Sequence, residues 1–101
     1  MSVAATLIEA RNLIAQGWTQ GKYKRVVNGV ECWCISGAID KAAPDYKSNG
    51  LAFAALFHAL RAYDFYLSAS TNITEWNDTP GRTQEDVLAL IDRAIAKEAT
   101  A

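Results

Sequence analysis

Histidine, cysteine and proline are all scarce in this chain: one, two and two among 101 residues. A structural zinc site takes four ligands, mostly cysteine and histidine. Cys32-x-Cys34 with a distant His58 offers neither that number nor a zinc spacing, so no metal and no cofactor is expected. A Cys32–Cys34 disulfide is disfavoured too, because side chains two apart on a strand run parallel instead of converging. The most apolar stretch, 51–60, falls well short of the roughly 20 residues a membrane-spanning helix needs. The opening Met1-Ser2-Val3-Ala4 lacks the basic start and apolar run of a signal peptide, which predicts a soluble, cytoplasmic protein. Ten basic residues face eleven acidic ones, and the net charge of −1 exerts no general pull on nucleic acid or anionic lipid. Phosphate loops, dinucleotide fingerprints and metalloprotease motifs are absent from the sequence. So are low-complexity segments, long linkers and internal repeats, and the length suits a single domain over 1–101.

What is present is a chain half apolar and 21% charged, ordinary for a globular fold. Val3, Leu7, Ala10 and Ile14 recur at helical spacing, with Ser2 as N-cap and Gly17 as C-cap. The period then changes. Residues 23–27 and 30–33 are β-favouring, and Asn28-Gly29 between them is the preferred dipeptide of a two-residue hairpin turn. A short helix is predicted from Trp33 or Cys34 to Ala42, stopped by Pro44. Gly37 inside it suggests close packing against another helix. The longest helix is expected over 51–67, opened by Ser48-Asn49-Gly50. It carries two apolar stripes, one with Phe53, Leu56, Phe57, Leu60 and Leu67, the other with Leu51, Ala54, Ala55, His58, Ala62 and Phe65. Such a helix is central in its domain, or covers a partner. Residues 68–72 form a polar break. Thr79-Pro80-Gly81-Arg82 fits a type II turn. A last helix starts at Thr83 and buries Val87, Leu88, Leu90, Ile91, Ala94 and Ile95. The expected fold is mainly α (α+β): a small four-helix domain with one short β-hairpin at about 23–33.

Three stretches carry a resemblance: "ARNLIAQGWTQG" (10–21), "CWCISGAID" (32–40) and "EWNDTPGRTQEDVLALIDRAIA" (75–96). Together they resemble a family of small uncharacterised phage and bacterial proteins, known only as a domain of unknown function. Its pattern is Gly-Trp-x-Gln-Gly, Trp-Cys-x-x-Gly-Ala and Trp-Asn-Asp-x-x-Gly-Arg-Thr. Here these are Gly17, Trp18, Gln20 and Gly21; Trp33, Cys34, Gly37 and Ala38; and Trp76, Asn77, Asp78, Gly81, Arg82 and Thr83. The resemblance implies a phage or prophage setting and no reaction.

Two functional readings follow. The first is a non-enzymatic interaction protein that binds a protein partner, or a second copy of itself as a homodimer, with Trp18, Trp76 and Arg82 as contacts. Aromatic and arginine side chains suit protein interfaces. Inhibition of a host defence protein is one form this takes. The alternative is a cysteine-dependent hydrolase or transferase. It would use Cys34 at a helix N-terminus as nucleophile, with His58 as base and Asp78 to orient it. Against it stand the ordinary roles of these residues, a packed histidine and a buried structural thiol. In the Trp-Asn-Asp loop, local turn duties outweigh ligand binding. Asp78 or Asn77 would bond nearby backbone N–H groups, and Trp76 would plug the core. The "KYKR" cluster (22–25) is the remaining basic feature. It reads as a solvated strand edge, with nucleic-acid binding a weaker third reading.

Overall fold

A computed structural model describes residues 2–63 and 72–99. Its elements are α1 (Val3–Gln16), β1 (Lys24–Val27), β2 (Val30–Trp33), α2 (Ile35–Ala42), α3 (Tyr46–Tyr63), α4 (Ile73–Asn77) and α5 (Gln84–Ala99). The fold is mainly α, with one antiparallel hairpin. Five helices, not four, lie among the described residues.

The central element is α1 and not the longest helix. It packs against α2, α3, α5 and β2, and buries Thr6, Leu7, Ala10 and Ile14. Ser2 caps it through its Oγ, which accepts from Ala5 N at 3.0 Å. Gly17 ends it in extended, not left-handed, backbone. Glycine is needed there for space: a Cβ would sit 2.7 Å from the Glu31 carbonyl and 2.8 Å from Cys32 Sγ.

The α3 helix begins five residues earlier than its sequence suggests. Asp45, just after Pro44, caps it: Ser48 N donates to Asp45 Oδ1 at 2.8 Å. That bond holds the Asp45 carboxyl below its ordinary pKa. Ser48-Asn49-Gly50, which reads as a break, lies inside the first turns. The core face of α3 is Ala52, Leu56, Ala59 and Leu60, with Phe53 and Phe57 half-buried beside it. The second stripe faces outward: Leu51, Ala54, His58 and Ala62 are exposed. The expected end at 67 lies outside the described residues.

The last helix follows its sequence signals. Thr83 and Asp86 cap it reciprocally, Asp86 N to Thr83 Oγ1 at 3.1 Å and Thr83 N to Asp86 Oδ2 at 3.0 Å. Val87, Leu90, Ile91 and Ala94 are buried, while Leu88 and Ile95 are half-buried at the edge of the core. Gln84 Nε2 donates to the Ile14 carbonyl, and Arg11 pairs with Asp92 at 2.6 Å, so α5 is tied to α1 at both levels.

The hairpin register is Lys24↔Trp33, Arg25↔Cys32, Val26↔Glu31 and Val27↔Val30. Asn28 and Gly29 supply the positive φ values, 51° and 79°, that the two-residue turn demands. Every residue from Gly21 to Glu31 is exposed. The hairpin projects from the helical body and is anchored only at its root.

Candidate functional site

The root of the hairpin is where the three motif segments meet. At its centre is Asn77, the last residue of α4, fully buried. Its Oδ1 accepts from Trp18 Nε1 at 2.9 Å and from the Ile35 backbone N–H at 3.1 Å. Its Nδ2 donates to the Thr19 carbonyl at 3.2 Å and to Asp78 Oδ1 at 2.9 Å. An asparagine side chain can make two acceptor and two donor bonds, and here all four are made. One residue thus joins the loop after α1, the first turn of α2 and the loop before α5.

The neighbours repeat the theme. Gln20 Nε2 donates to the carbonyls of Asn77 and Thr79, each at 3.0 Å. Gly21 N donates to Asp78 Oδ1 at 3.0 Å. Trp33 N donates to Gly17 O, and Thr19 N to Trp33 O, which stitches the loop to the edge of β2 that faces away from β1. Ser36 Oγ and Thr74 Oγ1 lie 2.6 Å apart, linking α2 to α4. We call this set the clasp. Among the described residues no buried side-chain polar atom lacks a hydrogen-bond partner.

Gly37 belongs to the same root. A Cβ there would collide with the Tyr23 carbonyl, so the glycine serves an approach of hairpin backbone and not of another helix. Cys34 N donates to that Tyr23 carbonyl at 3.2 Å.

Trp76 is 3% exposed and plugs the core. Arg82 lies over its ring at 4.0 Å, and Arg82 Nε donates to the Trp76 carbonyl at 3.0 Å. Arg82 N closes the predicted turn onto Thr79 O. Trp18 is half-buried, with its indole N–H spent on Asn77.

The structure separates the members of the cysteine set by environment. Cys34 is the N-cap of α2, 2% exposed, and its Sγ accepts from Gly37 N at 3.3 Å. Burial pushes its thiol up from the ordinary value. The backbone N–H groups of Gly37 and Ser36 oppose this, while Asp78 and Asp40 reinforce it. The dipole argument for an activated thiol is therefore outweighed by desolvation. His58 is exposed on the outer face of α3, and no hydrogen bond among the described residues joins it to Cys34. Asp78 bonds to Gly21 and Asn77. No group of three or more metal-ligating side chains occurs among the described residues, and none of their helices is long and apolar enough to cross a membrane.

The sequence pointed to Asn77 or Asp78 as a local turn residue. It missed that Asn77 works across 42 to 59 residues of chain. Asparagine directly after a core tryptophan was the one available signal.

A family of unknown function, DUF6197, matches residues 1–97, and the chain belongs to that family. No curated protein and no solved structure matches it.

Proposed function

We propose that this DUF6197 protein is a non-catalytic interaction protein that presents its β-hairpin to a protein partner in a phage or mobile-element setting. One observation carries the reading. Residues 21–31 of the hairpin are all exposed, yet four of them are large apolar side chains: Tyr23 is 59% exposed, Val26 60%, Val27 45% and Val30 45%. An exposed apolar cluster on a projecting element is informative in a way that single surface apolar residues are not. The clasp supports the same reading. Trp18, Gln20, Asn77, Asp78 and Arg82 spend their polar groups on one another and on backbone, which suits holding the hairpin rather than receiving a ligand. Trp18 and Arg82 lie half-buried beside the root, which supports a role for them at the rim of such a contact. Inhibition of a host defence protein is the form of activity we favour for that setting.

The test is affinity capture from host extract with the native chain and a Val27→Asp/Val30→Asp variant whose helical circular dichroism is unchanged. Stoichiometric retention of one protein by the native chain, lost in the variant, is the expected result. Equal retention by both would overturn the reading. A partner or effect lost instead in a folded Cys34→Ala variant would favour cysteine chemistry.

A further inference from the structure

The two edges of the hairpin differ. The outer edge of β2 is covered at Trp33 by the loop after α1, through Trp33 N to Gly17 O and Thr19 N to Trp33 O. Among the described residues the sheet has two strands, and β1 has no neighbour on its far side. In an antiparallel pair, bonded and non-bonded residue pairs alternate. Cys34 N bonds to Tyr23 O, and the register then makes Tyr23, Arg25 and Val27 the residues bonded to β2. Lys24 and Val26 therefore direct their N–H and C=O groups outward, along an edge where all four strand residues are exposed.

The side chains define what suits that edge. Strand residues alternate between faces. Tyr23, Arg25 and Val27 share one face with Val30; Lys22, Lys24 and Val26 share the other. The first face is mostly apolar and open. The second is cationic: Lys24 lies 5.2 Å over the Trp33 ring and 3.2 Å from Glu31. Lys22 and Arg25 have no carboxylate partner among the described residues. Three cations against one carboxylate, Glu31, on this segment contrast with a net charge of −1 for the chain. This charge disfavours a second copy of the hairpin, which would bring like charges together, and favours an anionic occupant.

We propose that the free edge of β1 is a strand-addition site for an extended acidic segment of a partner protein. Main-chain bonds to Lys24 and Val26 hold the segment. Its apolar residues extend the Tyr23/Val27/Val30 face, and its carboxylates lie beside Lys22 and Lys24. Edge addition of this kind draws affinity from backbone pairing and specificity from alternate side chains. The proposal deepens the interaction reading and rests on it.

The test uses the full chain and synthetic heptapeptides of alternating valine and glutamate. Amide hydrogen exchange is read by NMR. At saturation, exchange at Lys24 and Val26 is expected to slow at least tenfold, and the affinity to fall as salt rises. A valine–lysine peptide, or the glutamate peptide with a central proline, is expected to leave both amides unchanged. Val26→Pro removes one outward donor but no bond to β2, and is expected to abolish the slowing at Lys24. Lys22→Glu serves as the second variant if Val26→Pro does not fold, and is expected to weaken binding at least fivefold. Equal binding of both peptide charges, protection elsewhere, or a DNA duplex protecting the same amides in place of the peptide would each overturn the proposal. So would a dimer of the free protein that Val26→Pro dissolves. If the peptide fails while the Val27→Asp/Val30→Asp variant still loses its captured partner, edge addition falls and the interaction reading stands. If that variant keeps the partner, both fall.

Discussion

Val27 and Asn77 occupy opposite ends of one structural unit. Val27, beside the turn, is 45% exposed, and Asn77, at the root, has no exposed surface. The usual distribution is inverted: the apolar residue faces water and the polar residue is buried. A buried asparagine is tolerated because all its hydrogen bonds are made within the protein. An exposed valine is tolerated because the strand needs only its backbone and its turn. The contrast separates two jobs. The root fixes where the hairpin points, and in the function proposed above the tip offers a surface. Stability should therefore concentrate at the root, and binding at the tip.

The sharpest attempt to break this division is Asn77→Ala. It leaves the Trp18 indole N–H, the Ile35 N–H and the Thr19 carbonyl without their partner. Each orphaned buried group costs about 1–3 kcal/mol, so a total loss of about 3–5 kcal/mol is expected in urea unfolding. That is a large share of the stability of a small domain. Next comes Gly37→Ala. The new methyl meets the Tyr23 backbone, which no rotamer change relieves, and a loss of about 2–3 kcal/mol is expected.

Cys34 gives a pH test of the same root. Its folded thiol holds its proton more tightly than an unfolded one does. The unfolded chain then binds fewer protons in the alkaline range. Stability is fully present below the ordinary thiol pKa of about 8.5 and declines as pH rises above it. The midpoint of urea unfolding is expected to fall from pH 8 to pH 10, less steeply in Cys34→Ala. Alkylation of native protein at pH 8 should modify half-exposed Cys32 well before Cys34. The smallest effect belongs to the tip. Val27→Thr and Val30→Thr are expected to shift stability by less than about 0.5 kcal/mol each. A loss above about 1.5 kcal/mol there would mean the tip is part of the folded core's support.

The legible parts of the fold were those written in short-range signals. Asn28-Gly29 announced the turn, Ser2 and Thr83 announced helix starts, and the 3.6-residue stripes announced α1 and α5. Asp45 was hidden as a cap because Ser48-Asn49-Gly50 looked like the stronger break. The five-residue α4 is too short to show a period, and its cap Asn72 lies in a polar stretch. Of the two readings of α3, as central or as covering a partner, the central one failed for a different reason. Alanine is apolar enough to complete a stripe and small enough to stay at the surface, as Ala54 and Ala62 do. The clasp was legible as a set of motifs but not as a contact. Nothing local in Trp18, Ile35 or Asn77 encodes that they meet.

That separation along the chain also orders events in time. The hairpin's own pairing is local, and such pairs form within about 1–10 μs. The Asn77 bonds at its root join residues 42 to 59 positions apart, and contacts of that span close more slowly. On a growing chain, β1 and β2 emerge well before Asn77 does. For that interval the valines are displayed on a hairpin held only by its bonds to the loop after α1, and the arrival of a single asparagine completes the root.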